Sequence, residues 1–324
     1  MMIPRLAAEV LAGKALPSKD AFSLVSVEGA GLFGLFSAAG EIREKFRKNR
    51  VDLCSIINAK SGACSEDCSY CAQSSRSRAE IPVHPLLRES GIMEKALEAK
   101  EAGVRRFCIV TSGRKAGARE LREIASMVGK IRSLGLLPCA TLGLLEKDEL
   151  SMLRDSGLER YHHNLETSER FFPLICSTHT YGDKLKTIEA AKAVGLSVCS
   201  GGIFGLGESW QDRIDMAFAL RELNVDSVPV NFLIPVHGTP LGNTATLHPF
   251  EALKIISLFR FMLPDKAVRV CGGRRQVLGE FNAMVFMAGA DALLTGNYLT
   301  TTGTTYEDDL RLIRQYGLEV GDNA

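Results

Sequence analysis

From about residue 51 onward, short apolar runs alternate with stretches whose apolar residues recur at helical spacing. The apolar runs at 51–57, 106–110, 137–141, 160–164, 196–201, 227–233, 267–271 and 292–295 predict strands. Between them, 86–102, 120–134, 147–155, 183–194, 210–223, 250–262 and 277–288 carry the spacing of amphipathic helices. Many of these helices stop at a glycine, as at Gly103, Gly135, Gly157, Gly195 and Gly289, where a left-handed backbone ends a helix without strain. Strict alternation of strand and helix predicts a parallel sheet, and eight strands predict a closed (β/α)8 barrel of the TIM type, fold class α/β. Residues 1–50 read as helical and are expected to form an N-terminal helical cap, with the charged run at 41–50 as a solvated helix face. No linker rich in Pro, Gly or Ser divides the chain, so residues 51–324 are read as the barrel and the whole as a single domain.

Such a barrel carries its chemistry at the C-terminal ends of the strands, and unusual residues recur there. The loop Cys64-Ser65-Glu66-Asp67-Cys68-Ser69-Tyr70-Cys71 follows the first strand with a CxxxCxxC spacing. Three thiolates on one tight loop can hold three irons of a cubane cluster and leave the fourth without a protein ligand. An open metal position is where chemistry takes place. A zinc knuckle would instead offer CxxC pairs and a fourth ligand at a matching distance, and the next histidine, His84, has no partner at i+3 to i+5.

Further thiols interrupt the strands themselves. Cys108, Cys139, Cys199 and Cys271 fall in the second, third, fifth and seventh strands, where Val, Ile or Leu are the ordinary occupants. Any one of them reads equally well as a small buried hydrophobe. All four can converge only if each faces inward. Period-two alternation then turns Thr141 and Gly201 inward with Cys139 and Cys199, and Arg269 inward with Cys271. That pattern points to a second iron–sulfur cluster deep in the barrel. Cys54, at the start of the first strand, is expected in the core away from the chemistry, and Cys176, in a loop, has no evident partner.

Composition narrows the setting. The chain has 324 residues, 46% hydrophobic and 24% charged, as in a globular protein with a large core. A net charge of +1 gives no electrostatic case for nucleic acid or an acidic partner. Residues 1–14 lack the apolar core of a signal peptide, and no run reaches transmembrane length, so a cytoplasmic location without membrane contact is expected. In that setting nine cysteines read as ligands rather than disulfides.

The CxxxCxxC loop, with its aromatic residue before the third cysteine, resembles that of the radical S-adenosylmethionine (radical SAM) superfamily. Further segments resemble the biotin synthases within it, in family order over about residues 50–300. They are Asn58-Ala59-Lys60-Ser61-Gly62, Cys139-Ala140-Thr141-Leu142-Gly143, Asn164-Leu165-Glu166-Thr167-Ser168, the glycine-rich run 198–208, Val228-Pro229-Val230-Asn231-Phe232-Leu233 and Gly238-Thr239-Pro240-Leu241. The resemblance implies a 4Fe-4S cluster on Cys64, Cys68 and Cys71 whose open iron binds SAM. It implies that Tyr70 covers the adenine beside Ile203 and Ile234, and that Asn164 and Glu166 take the ribose hydroxyls. Lys184 stands where the family usually has an arginine for the SAM carboxylate; it keeps the charge and loses the bidentate fork. The implied substrate is desthiobiotin, whose urea-like ring asks for donors and acceptors such as Asn164 and Asn231. His162 occupies a position where the family often shows another Asn, and His163 is expected to face away.

In the family an auxiliary two-iron cluster is held by three cysteines and an arginine, which correspond here to Cys108, Cys139, Cys199 and Arg269. This chain departs by adding Cys271 on the same strand face. Thiolate is the better iron ligand, so Cys271 is expected to replace Arg269 and the auxiliary cluster to hold four irons. The implied activity is that of a radical SAM sulfurtransferase. Sulfur passes from the auxiliary cluster into desthiobiotin, an electron arrives from flavodoxin or ferredoxin, the enzyme is a homodimer, and no acid–base residue is needed. Two other readings stay open. A radical SAM barrel of the maturase or mutase type has no reason to keep Cys108, Cys139, Cys199 and the Asn231 segment together. A non-catalytic iron–sulfur carrier needs no SAM pocket.

Overall fold

The computed structural model describes residues 2–321; residue 1 and residues 322–324, the outer ends of the expected cap and barrel, lie outside the described residues. The N-terminal region folds as three helices, α1 (Met2–Leu11), α2 (Ser18–Val25) and α3 (Gly31–Arg47). The repeating part begins with β1 (Arg50–Lys60), α4 (Glu89–Glu101), β2 (Arg106–Thr111), α5 (Ala118–Ser133), β3 (Leu137–Thr141) and α6 (Lys147–Asp155). It continues through β4 (Arg160–His162), α7 (Tyr181–Ala193), β5 (Ser197–Cys199), β6 (Gly202–Phe204), α8 (Trp210–Glu222), β7 (Ser227–Phe232) and α9 (Pro249–Met262). It ends with β8 (Ala267–Val270), α10 (Arg274–Leu278), β9 (Ala292–Leu294), the hairpin β10 (Gly296–Tyr298) and β11 (Thr301–Thr304), α11 (Tyr306–Gln315) and β12 (Glu319–Val320).

Neighbouring strands pair in parallel in the order β1-β2-β3-β4-β5-β7-β8-β9, and β9 pairs again with β1 through Asp52 and Ala292. The eight-stranded barrel is therefore closed, as the sequence pattern predicts. All five glycines expected to stop helices have positive φ. The outward side chains of β7 and β8, among them Val228, Val230, Val268 and Val270, are fully buried under the helices. α9 is apolar on nearly every face because β8 covers one side of it and α3 another.

Several elements differ from the sequence reading. The charged run is solvated on one face, through Glu41, Glu44, Lys45 and Lys48, while Ile42 and Arg43 are buried on the other and Arg47 pairs with the buried Asp291 at 2.6 Å. The helix expected over 277–288 breaks at Gly279, where a 3-10 turn takes over, because the positive φ there ends the regular helix. Asn164 and Cys271 lie just beyond the ends of their strands rather than within them. The strand expected over 196–201 ends at Cys199 and resumes as β6 on the edge of β7. Close backbone approach forces that break. A Cβ on Gly201 would stand 2.0 Å from the Pro229 carbonyl oxygen, and one on Gly202 would stand 2.3 Å from that of Glu166. The β10–β11 hairpin and β12 were not foreseen.

Candidate active site

The barrel axis is a cavity of about 250 Å³, and the inward parity deduced from the strands holds along its wall. Cys108, Cys139, Cys199, Arg269 and Cys271 all line it, together with Thr141, His162, Asn164, Glu166 and Asn231. Cys108 and Cys139 lie directly opposite each other across β2 and β3, and Cys199 lies beside His162 across β4 and β5. Cys54 corrects the sequence reading. It faces the cavity one layer below, packed with Cys108, Cys139 and Cys271, because β1 starts early and Cys54 shares the inward parity of Ile56.

Under the thiols lies a charged floor. Asp52 on β1 accepts from Arg106 Nε at 3.0 Å, from Arg160 Nη1 at 3.4 Å and from Arg269 Nη2 at 2.5 Å, all of them buried. Burial alone would raise the Asp52 carboxyl; the three guanidiniums, Arg269 first, hold it well below the usual carboxylate range. Arg106 reaches Glu159 as well. Arg269 also donates to the backbone carbonyls of Asp52 and Leu293, at 3.0 and 3.1 Å, so its fork is engaged at the floor. The surplus positive charge faces thiols whose pKa values burial pushes up, Cys54 to about 12 and Cys139 to about 11, with Cys108 and Cys271 also raised. Neutral buried thiols over buried cations form a poor pairing; thiolates bound to iron, which coordination deprotonates outright, form a good one. The donor set fits an anionic iron–sulfur cluster.

A polar chain runs up the wall. Asn164 Oδ1 accepts from the backbone N–H of Gly201 at 3.1 Å, which fixes the orientation of its amide. His162 Nε2, 2.9 Å from that same oxygen, must then be the protonated nitrogen, and Nδ1 accepts from the Thr141 hydroxyl at 2.8 Å. Burial lowers the His162 pKa to about 4, so the ring is neutral. Asn164 Nδ2 donates to Glu166 at 3.3 Å, and burial raises the Glu166 carboxyl against the pull of Lys184 and Asn164. Asn231 bridges two backbones, donating to Gly202 O and accepting from Gly272 N–H, both at 3.0 Å. One of its amide hydrogens and one lone pair are left for a ligand. His163 points outward against Tyr161, with ring centroids 6.3 Å apart.

At the mouth, the loop after β1 is tied by backbone bonds from Cys64 N–H to Gln73 and from Ser75 N–H to Cys64. A second chamber continues the cavity outward, lined by Tyr70, Cys71, Ile203, Asn231 and Ile234 and covered by Tyr298 and Leu299 of the hairpin. The residues given by resemblance to the adenine therefore share one chamber. Lys184 lines neither chamber; it is buried behind the wall with its Nζ 5.7 Å from the Phe172 ring. Cys176 also corrects the sequence reading, since it lies 3.8 Å from Cys68 across a loop contact that spans over a hundred residues. Sequence reasoning missed Tyr298 as well. A run of Thr and Tyr between glycines was the available hairpin signal.

The radical SAM superfamily pattern matches residues 59–220, and the biotin and thiamin synthesis associated domain matches residues 229–319. Biotin synthase of Thermodesulfovibrio yellowstonii is 56% identical over 91% of this chain and 93% of that protein. Biotin synthase of Pelotomaculum thermopropionicum is 45% identical over 98% of this chain and all of that protein. The chain belongs to the biotin synthase family of radical SAM enzymes. Among solved structures, methylornithine synthase superposes with a TM-score of 0.86 at 22% identity, covering 98% of this chain and 97% of that one. A [FeFe]-hydrogenase maturase superposes with a TM-score of 0.83 at 15% identity, covering 98% and 74%. At those identities the likeness is one of fold, and it agrees with the closed barrel. The biotin synthase family brings with it a 4Fe-4S cluster and SAM, and the CxxxCxxC loop beside the outer chamber has the donors for such a cluster.

Proposed function

We propose that this chain converts desthiobiotin to biotin by inserting sulfur, in the cytoplasm and as a homodimer, with a flavodoxin or ferredoxin as electron donor. One observation carries the reading: a single cavity joins the cysteine loop at its mouth to the thiols of Cys108, Cys139, Cys199 and Cys271 deeper in the barrel. When bound, the SAM-loaded cluster on Cys64, Cys68 and Cys71 supplies hydrogen abstraction from unactivated carbon, and the auxiliary cluster on Cys108, Cys139, Cys199 and Cys271 supplies the sulfur. Four thiolates favour a four-iron auxiliary cluster. The engagement of the Arg269 guanidinium with Asp52 supports Cys271 as the fourth ligand.

The chain's own residues bind and orient. Tyr70, Ile203 and Ile234 flank the adenine, Asn164 donates its free amide hydrogen to the ribose hydroxyls and Glu166 accepts from them, and Lys184 offers its charge to the SAM carboxylate. Asn231 has one donor and one acceptor free for the substrate's ring. His162 uses both ring nitrogens internally, so it holds Asn164 in register and gives the substrate only its carbon edge. Tyr298 and Leu299 keep water from the cavity. No general acid or base is required; positioning accounts for the protein's share of the rate. The first fifty residues act as a helical cap on the barrel that carries the site.

The test is anaerobic reconstitution with labelled sulfide, then reaction with SAM, a reductant and desthiobiotin. The expected result is labelled biotin. Unlabelled biotin would exclude the auxiliary cluster as donor. SAM cleavage without biotin would point to a maturase-type or mutase-type barrel, and no SAM cleavage to an iron–sulfur carrier.

A further inference from the structure

Beside the cysteine loop stand two side chains for which the proposed reaction has no use. Cys176 and His179 lie in the segment leading to α7; Cys176 is buried and the His179 side chain is only 7% exposed. Cys176 Sγ is 3.8 Å from Cys68 Sγ. Two thiolates on one tetrahedral zinc or similar ion, each about 2.3 Å from the metal, stand about 3.8 Å apart. His179 Nδ1 lies 3.3 Å from Cys176 Sγ, close to the spacing of a nitrogen and a sulfur on one tetrahedral ion, and its Nε2 is farther off at 3.8 Å. The same Nδ1 is 2.6 Å from Glu66 Oε2, a hydrogen bond that gives way when a metal takes the nitrogen. Thr178 Oγ donates to the same Glu66 oxygen at 2.9 Å, and Asp67 Oδ1 stands 3.4 Å from Cys176 Sγ. Among the described residues, this triad is where three such donor atoms gather within 4.8 Å of one another. The three cysteines of the loop do not, as suits ligands that serve separate irons.

We propose that the cluster-free chain holds one soft divalent cation, Fe(II) or Zn(II) in its place, on Cys68, Cys176 and His179. Asp67 or water completes the tetrahedron, and both thiol protons leave to solvent as the metal enters. Cys68 serves both centres, so the mononuclear ion and the four-iron cluster exclude each other. Iron bound here stands beside the loop it will enter, and zinc bound here blocks cluster assembly. The exclusion rests on Cys68 being a cluster ligand, as proposed above; the binding itself does not.

The test is an anaerobic Co(II) titration of the full-length, cluster-free protein. One equivalent is expected to bind with the thiolate-to-cobalt absorption of a tetrahedral site. Cys176→Ser and His179→Gln should each weaken binding at least about 10-fold. Cys64→Ala and Cys71→Ala should leave the affinity unchanged. Circular dichroism on each variant separates a lost site from a lost fold. Unchanged affinity in both site variants, or loss of binding in Cys64→Ala and Cys71→Ala, overturns the assignment to this triad. In a second arm, zinc-preloaded protein should rebuild its loop cluster more slowly than zinc-free protein, and Cys176→Ser at the same rate with or without zinc. Equal inhibition of both proteins overturns the exclusion.

Discussion

Asp52→Asn is the most informative single change at the base of the barrel. Asparagine keeps the shape and one acceptor oxygen, so packing is preserved while the charge shared by Arg106, Arg160 and Arg269 is removed. Those guanidiniums stand 3.0, 3.4 and 2.5 Å from one carboxylate oxygen, and all are buried. Another carboxylate within reach is Glu159, partly exposed and bound to Arg106. Removing one partner of a buried ion pair costs about 3–5 kcal/mol, and with Arg160 and Arg269 both losing their carboxylate the expected loss lies within that range. Equilibrium denaturation of the cluster-free protein at neutral pH measures it as a lower midpoint at unchanged slope. The carboxyl's folded pKa is depressed, so its contribution is present above the ordinary carboxylate pKa and is lost as pH falls through the depressed value. The gap between wild type and variant should therefore close in strong acid. It should also narrow in the cluster-loaded protein, where bound negative charge takes over the compensation. A loss below about 1 kcal/mol, the scale of a surface pair, would refute the view that this carboxylate neutralises the floor.

Other outcomes follow from the same geometry. Cys271→Ala should lower iron from about eight per chain toward about four as the auxiliary cluster is lost; an unchanged iron count and Mössbauer spectrum would return the fourth position to Arg269. Gly201→Ala, whose Cβ would meet the Pro229 carbonyl at 2.0 Å, should destabilise the fold by about 1–3 kcal/mol and disorder the Asn164 anchor, read as a lower melting temperature with a raised KM for SAM. Burial lowers the pKa of His162 to about 4 and lowers that of His163 as well. The unfolded chain therefore takes up protons that the folded one refuses, and stability should fall as pH drops below about 6.5, by about 1.4 kcal/mol per pH unit for each histidine. A flat stability profile between that pH and the His162 value, measured on cluster-free protein, would contradict it.

The barrel and its inward thiols were legible because both follow from backbone periods. Alternation of two is fixed by strand geometry, so Cys139, Thr141, Arg269 and Cys271 could be assigned a face before any contact was known. Cys54 was misread because parity gives a face but not a height; only the register of β1 against β2, which pairs Cys54 with Arg106, sets it one layer below Cys108. The partner of Cys176 was invisible because loop-to-loop contact over a hundred residues leaves no local pattern, although its three-residue spacing from His179 was a usable hint. The role of His162 depended on which way the Asn164 amide turns, and that is decided by a backbone N–H from another strand. The arginine floor was hidden for a related reason: nothing local to Arg106 or Arg160 points to a shared partner until Asp52 is placed between them.

Tyr298 packs so closely on Gly272 that a Cβ there would come within 2.7 Å of the ring. The cover of the entrance thus leans on the residue that follows Cys271. Any side chain at 272 would have to lift the tyrosine ring, so a single added methyl there unseats the lid of the outer chamber.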